Sequence, residues 1–440
     1  MKRYNNVLCL ILVLMFTISM LTGCGGSKEE AAPEVKKGDE QTAQVELKFL
    51  HKWPQPQNMP YFEEVIKEFE ATHPNIKINM EAVADEPIKD KLRVLMGTDS
   101  QPDIFFSWSG EFAKKFVRSD NALDITEAFN SDTEWKSSIM QAGVEPFTFD
   151  GKVYGMPFRI NGKFFIYNKD IFGKYSLQKP QNWEDFIQIC EKLKSNNIIP
   201  IVLGNQYPWA SCHYLTSLNQ KMVSQDVRMR DYNPKTGEFT DPGYVKALEY
   251  LKSLSDNGYF NTGVNSTSHD MAREMFCAEK AGMYYIELEE FAELEEIFPG
   301  KWDFFAMPAI PEGKGNQKFL TGAPDGFMIS AKTKHPDEAI EFLKFLVTKE
   351  NGEKLVKQLG WPSPVIGAVN VNNAPPFLVD GMKAIEEAEG MALWLDTDIH
   401  IKVSDVYLAG LQELLSGSKS PEKIMEEVRQ MAKTVQDEVE

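Results

Sequence analysis

Strand and helix patterns alternate along this chain, and the alternation constrains the fold more than any other feature. Residues 47–50 have the apolar character of a buried strand, and the apolar residues within 62–69 recur at the spacing of one helix face. Strand patterns follow at 76–80 and 103–106, with a second helix pattern around Leu92 between them. This order is typical of parallel strands connected by helices, so the sequence predicts an α/β fold.

The alternation returns after Gly162, which predicts a second sheet. Asn182 is placed to cap a helix, because Asp185 follows three residues later and apolar residues continue at helical spacing. A further helix is expected from Pro336, and from residue 366 onward the pattern is almost entirely helical. Strand patterns in this part of the chain lie at 164–167, 198–203, 283–286, 304–307 and 325–330.

The first 24 residues have the pattern of an export signal. Lys2 and Arg3 precede an uncharged run over residues 7–21, which is shorter than the roughly 20 residues that span a bilayer as a helix. The run ends in Leu21-Thr22-Gly23-Cys24, which resembles a bacterial lipobox, whose cysteine becomes the lipid-bearing first residue of the mature chain. We therefore expect a signal peptide at 1–23 and, at 24–44, the lipidated Cys24 followed by a flexible tether, because 25–44 is charged and lacks aromatic residues.

The charge balance excludes several kinds of partner. With 47 Lys+Arg against 65 Asp+Glu, the net charge is −18, which is unfavourable for binding the phosphates of nucleic acids. The same balance argues against docking of the folded body onto anionic lipid, so contact with the membrane is expected only through the lipid anchor. Five cysteines in 440 residues cannot build a disulfide framework.

Motifs of catalysis and of cofactor binding are missing from the sequence. It contains no GxGxxG turn, GxxxxGK[ST] phosphate loop, GxSxG elbow, HExxH or CxxC motif, and its six histidines are far apart. We therefore expect no catalytic residues, no cofactor and no metal site, and a chain that is not an enzyme. An exported glycosidase stays open as an alternative, because two carboxylates about 5–9 Å apart can hydrolyse a glycosidic bond.

Several tryptophans follow predicted strands instead of lying within apolar faces. Trp135, Trp183 and Trp302 are assigned to packing, whereas five others are in loop contexts. In open α/β sheets, ligands bind beyond the carboxyl ends of the strands, and flat aromatic rings suit a sugar, which has apolar ring faces and hydroxyl edges. These five tryptophans are Trp53, Trp108, Trp209, Trp361 and Trp394.

Two segments give the chain a resemblance to a known family. Residues 150–157 (DGKVYGMP) and 166–172 (IYNKDIF) resemble a hallmark of extracellular solute-binding proteins of ATP-binding cassette importers, in the carbohydrate-binding, maltose-binding-protein-like branch. Residues 101–106, 182–186 and 334–346 are similar to the same family, in the family's order. The resemblance extends over the whole chain after the tether.

The resemblance implies a two-lobed periplasmic-binding-protein fold, in which each lobe is a mainly parallel sheet flanked by helices. The chain is expected to cross the hinge three times, near 157–162, 315–320 and 359–364. Lobe 1 would then consist of residues 45–158 plus 319–360, and lobe 2 of residues 159–318 plus 361–440. Closure of the lobes around a ligand is the inherited motion of such proteins.

The resemblance also implies where the ligand is bound. The loop after residues 103–106 supplies sugar contacts in the family, and so does the residue six before the Tyr of the YNKD motif. The acidic residues near the hinge and after the strand at 283–286 are expected to accept hydroxyl hydrogen bonds, while the tryptophans stack on sugar rings. The predicted ligand-binding residues are Trp53, Trp108, Glu111, Asn161, Trp209, Glu287, Asp325, Trp394 and Asp398.

The sequence therefore predicts a monomeric, lipid-anchored protein outside the cytoplasm that captures a mono- or oligosaccharide and delivers it to the permease subunits of an importer. Three alternatives stay open besides this one. The same fold can bind a non-sugar solute such as a polyamine, a ferric ion or an amino acid; the chain can be an exported glycosidase; or it can pass a sugar signal to a membrane kinase.

Overall fold

The structure is a computed structural model and describes residues 44–439. The predicted signal peptide, the lipidated Cys24 and nearly all of the predicted tether lie outside the described residues. From Gln44 onward the chain forms one compact unit. Within the described part, no helix combines the length and the apolar character that crossing a membrane requires.

The strands confirm the α/β prediction. Those predicted at 47–50, 76–80, 164–167 and 325–330 are present, whereas the one predicted at 304–307 begins and ends two residues earlier. The strands are β1 (Val45–His51), β2 (Ile76–Ala82), β3 (Ile104–Trp108), β4 (Thr148–Phe149), β5 (Lys152–Val153), β6 (Gly155–Ile160), β7 (Lys163–Asn168), β8 (Ile199–Val202), β9 (Ala281–Glu287), β10 (Trp302–Phe305), β11 (Leu320–Thr321), β12 (Pro324–Ile329) and β13 (Met391–Ala392).

The helices cover both sheets and make up most of the carboxyl-terminal part of the chain, as predicted. They are α1 (Met59–Thr72), α2 (Asp85–Leu95), α3 (Glu111–Arg118), α4 (Thr126–Ser131), α5 (Thr133–Ser138), α6 (Gln141–Val144), α7 (Lys169–Lys174), α8 (Trp183–Ser195), α9 (Trp209–Met222), α10 (Gln225–Tyr232), α11 (Gly243–Asp256), α12 (His269–Cys277), α13 (Phe291–Ile297), α14 (Pro336–Leu346), α15 (Lys349–Leu359), α16 (Pro376–Glu387), α17 (Leu395–Asp398), α18 (Ile401–Leu415) and α19 (Pro421–Val439).

Each of the two large sheets has one strand that runs against the others. The first sheet has the order β2-β1-β3-β12-β6, in which only β12 is reversed, and the second has the order β10-β7-β9-β8, in which only β7 is reversed. Both reversed strands come directly after a passage of the chain from the other sheet. A strand that enters a sheet there starts at the edge where its neighbours end, so it must run in the opposite direction.

The chain passes between the two sheets three times, as predicted. The passages connect β6 to β7, β10 to β12, and α15 to α16. The first two lie directly against each other, since a Cβ on Gly322 would come within 2.1 Å of the carbonyl oxygen of Asn161. Only glycine allows this close approach, which holds the two segments side by side. The proposed lobe boundaries at 158/159, 318/319 and 360/361 stay predictions.

The apolar residues divide in the same way as the sheets. One buried cluster surrounds the first sheet and includes the rings of Phe49, Phe62 and Phe327, and two further clusters lie around the second sheet. Trp135, Trp183 and Trp302, which the sequence assigned to packing, are at most 8 % exposed. The carboxyl ends of most strands in both sheets meet at the passages between them, and we call the space between these ends the cleft.

Candidate functional site

The wall of the cleft that the first sheet forms is built around one buried arginine. Arg159, near the end of β6, is 2 % exposed and donates two hydrogen bonds to Asp325, from Nε at 2.8 Å and from Nη2 at 3.0 Å. Lys52, which directly follows β1, lies 3.3 Å from the same carboxylate and 2.9 Å from Asp85. Burial disfavours the charge of Arg159, but Asp325 and Glu289 raise the pKa of the guanidinium above its ordinary range.

The tryptophan rings of this first wall are covered by cations. The guanidinium of Arg159 lies 4.9 Å from the ring of Trp53 and 4.8 Å from that of Trp361. Trp53 also stacks on Phe62, at 5.6 Å between ring centroids, and is 5 % exposed. The ammonium of Lys52 lies 4.8 Å from the ring of Trp108. The first wall thus combines cation–π contacts with ion pairs that are complete within the protein.

The wall that the second sheet forms starts with a paired carboxylate. Glu287, the last residue of β9, lies beside Lys163, the first residue of β7, because the two strands pair there. Its Oε1 is 3.3 Å from the Lys163 ammonium, and its Oε2 accepts a hydrogen bond of 2.9 Å from Nδ2 of Asn161. Asn161 belongs to the passage between the sheets, so Glu287 is held at the point where the two halves join.

Helix α9 brings aromatic rings to this second wall. Trp209 is the first residue of α9, and His213 follows four residues later on the same face. The His213 ring stacks on Trp394 at 4.2 Å and 19°, and it lies 5.3 Å from Trp209. Trp394 is 5 % exposed and packs in the cluster of the first sheet, although it belongs to the chain after the third passage. Trp394 therefore contacts both halves of the molecule.

Two polar atoms of the second wall are buried and unpaired. Among residues 44–439, neither Nδ1 of His213 nor Oδ1 of Asp396 has a hydrogen-bond partner. Nδ1 of His213 lies 3.5 Å from Oε1 of Glu287, and its Nε2 lies 3.8 Å from Oδ1 of Asp396. Burial, with Lys163 nearby, lowers the pKa of His213 well below its ordinary value, so its ring is neutral. Burial raises the pKa of Asp396 to about 6.

The two walls are in direct contact. Nη1 of Arg159 lies 2.5 Å from Oε2 of Glu289, which follows β9 of the second sheet. Glu289 also accepts a 2.7 Å hydrogen bond from Asn161. Across the cleft, burial disfavours the charge of Lys89, but the carboxylate of Asp396 raises the pKa of its ammonium. Lys89 lies on α2 in the first half of the molecule, and Asp396 lies on α17 after the third passage.

A second contact between the halves lies at α3 and α17. Asp398 approaches Gly110 so closely that a Cβ there would come within 2.9 Å of its Oδ1. Burial raises the pKa of Asp398 to about 7, Arg228 opposes this shift and Glu111 adds to it. Glu111 forms an ion pair with Arg118 of its own helix. These two predicted site residues therefore lie together, at a contact distinct from the rings of α9.

A hydrogen-bonded group of residues supports the second wall from behind. His269 lies 2.6 Å from Glu290 through Nε2 and 2.7 Å from the hydroxyl of Tyr284 through Nδ1. Glu290 in turn accepts a 3.0 Å hydrogen bond from the backbone N–H of Glu287, and the His269 ring packs 4.8 Å from Trp209. Trp209 and Glu287 are thus held by the same group.

The structure brings most of the predicted site residues to the cleft. Trp53, Trp108 and Asp325 lie on the first wall, and Asn161, Glu287, Trp209 and Trp394 on the second. Trp108 ends β3 and Trp209 begins α9, so neither lies in a loop as the sequence indicated. Sequence reasoning did not include several wall residues among its predictions: Lys52, Lys89, Lys163, His213, Glu289 and Asp396.

For two of the wall residues that the sequence analysis did not predict, the sequence contained a local signal. His213 lies one helical turn after Trp209, and Asp396 lies two residues after Trp394. The role of Lys163 depends on its pairing with Glu287, 124 residues away, which no local pattern indicates. Among the described residues, no group of three or more His, Cys, Asp and Glu side chains is arranged to hold a metal ion.

The alignments with curated relatives cover similar shares of both chains. An uncharacterised ABC transporter extracellular-binding protein of Pyrococcus horikoshii is 27 % identical over 352 residues, which cover 78 % of this chain and 79 % of the relative. The multiple sugar-binding protein of Streptococcus mutans is 25 % identical over 385 residues, covering 85 % of this chain and 86 % of the relative.

Solved structures have the same fold. A chitin oligosaccharide binding protein aligns with a TM-score of 0.81 at 22 % sequence identity, covering 90 % of this chain and 99 % of that chain. The model of the family described as bacterial extracellular solute-binding protein matches residues 53–353, which is more than half of the chain and includes the passage between β6 and β7. The chain therefore belongs to the bacterial extracellular solute-binding protein family.

Proposed function

We propose that this protein is the substrate-binding component of an ATP-binding cassette importer, and that it captures a mono- or oligosaccharide by closure of its two lobes and delivers it to the permease. The family consists of extracellular solute-binding proteins. This membership supports an action of the protein outside the cytoplasm, and it supports binding instead of catalysis. One curated relative of this chain is named a multiple sugar-binding protein, and another is named an arabinooligosaccharide-binding protein.

The observation that carries this proposal is the composition of the second wall. The aromatic rings of Trp209, His213 and Trp394 lie beside two buried polar atoms that have no partner among the described residues. A sugar matches both features, since its ring faces are apolar and its edges carry hydroxyl groups. Leaving such atoms unpaired on burial is unfavourable by about 1–3 kcal/mol each, and a bound hydroxyl relieves that cost.

The predicted site residues take different roles in this proposal. Trp209 and Trp394 stack on sugar rings, and Trp53 and Trp108 form the aromatic floor of the opposite wall. Asn161, Glu287 and Asp325 offer polar atoms at the passage between the lobes, although each already holds a partner in the protein. Glu111 and Asp398 act at the second contact between the halves. Closure excludes water, which strengthens each hydrogen bond to the sugar.

The proposed location depends on the amino-terminal segment. Cleavage before Cys24 and lipidation of its thiol would anchor a monomeric protein to the outer face of the cell membrane, close to the permease. Replacement of Cys24 by Ser should release the protein into the medium while leaving sugar binding in solution unchanged. Retention of this variant on the membrane would contradict the lipid anchor.

The proposed function is tested by calorimetric titration of the exported protein, purified in detergent. A panel of maltotriose, cellotriose, xylotriose, galactotriose, raffinose, arabinotriose and chitotriose is compared with spermidine. We expect at least one sugar to bind with a micromolar or lower Kd, with no binding of spermidine. Tight binding of spermidine without any sugar, or turnover of a chromogenic glycoside, would contradict the proposal.

A further inference from the structure

The second contact between the halves lies apart from the aromatic rings of the cleft. It joins α3, together with Gly110 directly before it, to α17. Helix α3 packs against β3 of the first sheet, whereas α17 packs against α9 and α18 on the side of the second sheet. A movement of the two halves relative to each other would therefore change the distance between Gly110 and α17.

Gly110 is the residue that permits this close contact. A Cβ at this position would come within 2.9 Å of Oδ1 of Asp398 and within 3.4 Å of both the Leu393 side chain and the carbonyl oxygen of Thr397. The backbone of Gly110 also has a φ of +71°, a conformation that favours glycine. A larger residue at position 110 would push α17 away from α3, so the approach of the two helices depends on glycine.

The contact brings together two carboxyl groups from opposite halves. Asp398 is the last residue of α17, and Glu111, which directly follows Gly110, is the first residue of α3. Glu111 is 8 % exposed, and Arg118 of the same helix compensates its charge. Helix α17 offers Asp398 no such partner, since its other ionisable residue is Asp396. Approach of the halves thus moves Asp398 away from water and toward another acidic side chain.

The charged groups that act on Asp398 come from two neighbouring helices. Glu111 of α3 disfavours the ionised form of Asp398, and Arg228 of α10 favours it. Tyr232, also on α10, is close enough for Asp398 to raise the pKa of its hydroxyl. Arg228 and Tyr232 follow α9 in the second half, so they stay near Asp398 when the halves separate, whereas Glu111 does not.

The remaining neighbours of α17 contribute less charge at Asp398. His400 directly precedes α18, and burial lowers the pKa of its ring although Glu111 opposes this shift. The His400 ring is therefore mainly neutral near pH 7. On α9, the ionisable side chains of Cys212 and His213 lie near Asp396 instead.

These surroundings make closure of the halves sensitive to protons. In the contact, burial and Glu111 raise the pKa of Asp398 to about 7. Separation of the halves would expose the carboxyl group and remove the field of Glu111, so its pKa would return toward the ordinary value of about 4. Between about pH 4 and 7 the contact therefore holds a proton that the separated form releases, and closure becomes more favourable as the pH falls through this window.

This inference rests on the proposed capture of a sugar by closure. We propose that Gly110 and Asp398 form a proton-dependent clasp between the two halves, in which closure around the sugar takes up one proton from solvent at the Asp398 carboxylate. Asp398 is a positioning residue in this account, because it acts through closure and does not contact the ligand. The protein then holds its sugar more tightly at pH 6 than a protein with a fixed charge at this position would.

The main experiment compares the wild type with Asp398→Asn. Calorimetry with the tightest-binding sugar of the panel is carried out at pH 6 and pH 8. The amide has the shape of the protonated carboxyl group and cannot ionise, so the variant should bind at least about threefold more tightly than the wild type at pH 8. This advantage should shrink about three- to tenfold at pH 6, since tenfold is the limit for one group with a pKa of about 7. Other groups that titrate are present in both proteins and cancel in the ratio.

Proton uptake gives a second readout of the clasp. Binding enthalpies in two buffers of different ionisation enthalpy give the number of protons taken up with each sugar. At pH 7 the wild type should take up about half a proton more than Asp398→Asn, because a group with a pKa of about 7 is then half protonated. The matched control Asp437→Asn removes an exposed carboxylate of α19 and should behave as the wild type in both experiments.

A substitution of Gly110 tests the contact itself. Gly110→Ala should weaken sugar binding at least about tenfold at both pH values, because the added methyl group holds α3 and α17 apart. Gly300→Ala is the matched control, since Gly300 has a φ of +68° but a Cβ there would meet no atom within 4 Å. This control introduces backbone strain without a steric clash and should keep the wild-type affinity. Thermal unfolding of each variant separates a loss of fold from a loss of binding.

Several outcomes would overturn the inference and leave the proposed function intact. One is a folded Asp398→Asn variant that binds no more tightly than the wild type at pH 8, or whose advantage is the same at both pH values. Another is wild-type affinity of Gly110→Ala. In each of these cases a sugar still binds to the wild type. If no sugar of the panel binds to the wild type at either pH, the proposed function is wrong and the inference fails with it.

Discussion

The two walls of the cleft differ in how their buried carboxylates are paired. On the first wall, Arg159, Lys52 and Asp325 complete their ion pairs within the protein. On the second wall, His213 and Asp396 keep unpaired atoms, even though both residues are buried. A buried carboxylate without a partner reduces stability, and a bound hydroxyl group would relieve that cost. We propose on this basis that the first wall provides structure and the second wall provides recognition.

The largest effect is expected from the first wall. Asp325→Asn removes the carboxylate that accepts both hydrogen bonds of Arg159, and it also weakens the contact with Lys52. Breaking a buried ion pair in this way leaves an uncompensated cation, so we expect a loss of about 3–5 kcal/mol in the free energy of unfolding. Urea denaturation at neutral pH measures this loss.

The matched control for Asp325→Asn is an exposed pair. Asp270→Asn removes the carboxylate next to Arg273, but the side chain of Asp270 is 77 % exposed. Solvent screens that pair, so its loss should change the free energy of unfolding by less than about 1 kcal/mol. Equal effects of the two substitutions would remove the distinction between a structural first wall and the protein surface.

Replacing an aspartate by asparagine on the second wall should have the opposite effect and raise the free energy of unfolding. Because burial raises the pKa of Asp396 to about 6, the folded protein keeps a proton that the unfolded chain releases between about pH 4 and 6. Stability therefore falls as the pH rises through this window. Asp396→Asn should stabilise the ligand-free protein by about 2–3 kcal/mol at pH 8, and this gain should vanish below pH 4.

Unfolding curves at pH 4 and pH 8 measure the effect of Asp396→Asn. A destabilising effect at pH 8 would mean that Asp396 is paired in the ligand-free protein, and the contrast between the walls would be lost. A stabilised variant with weaker sugar binding would show that the second wall exchanges stability for function.

The next largest effect is expected from an aromatic ring of the second wall, and it concerns sugar affinity. Trp394→Ala should weaken binding of the tightest-binding sugar of the panel by at least about tenfold, or 1.4 kcal/mol, because it removes a stacking surface and the support of the His213 ring. Trp302→Ala serves as the control, since Trp302 is also buried but packs against Phe291 and Phe377, away from the cleft. It should lose stability and keep its affinity.

Calorimetry on both tryptophan variants, after a check that each is folded, decides this point. If Trp394→Ala retains the wild-type affinity, the ring is part of the core alone and the second wall does not stack on the ligand.

The smallest effect on sugar affinity is expected from the electrostatic interaction between the two walls. Lys89→Gln removes a cation that faces Asp396 across the cleft, so the closed arrangement should be favoured less and the sugar affinity should fall about two- to fivefold. The effect should shrink between 0.05 and 0.5 M salt, because salt screens partly exposed charges. Lys91→Gln on the same helix, where Lys91 pairs with Glu81, is the control and should bind as the wild type.

Much of the fold could be predicted from local patterns. The strands β1, β2 and β3 alternate or are continuously apolar, and the helices between them show clear faces, so both the sheet and its helical cover follow from the sequence. The strand β6 was not predicted, because Gly155, Pro157 and Arg159 interrupt the apolar pattern. Its strand conformation depends on antiparallel pairing with β12, more than 160 residues later.

The site could be predicted only in part, for a related reason. Trp209 and Trp394 entered the prediction because a tryptophan next to the end of an element is conspicuous in a sequence. His213 and Asp396 are common residue types whose importance comes from their distance to each other and from the lack of other partners. Both properties arise from the folded structure, and a local pattern contains neither.

The most direct test of the account is a crystal structure of the protein with the tightest-binding sugar of the panel. We predict a sugar between the two walls, with one hydroxyl within hydrogen-bond distance of Oδ1 of Asp396, another near Nδ1 of His213, and a ring face against Trp209 or Trp394. A sugar bound elsewhere, or one that contacts only the paired residues of the first wall, would contradict it.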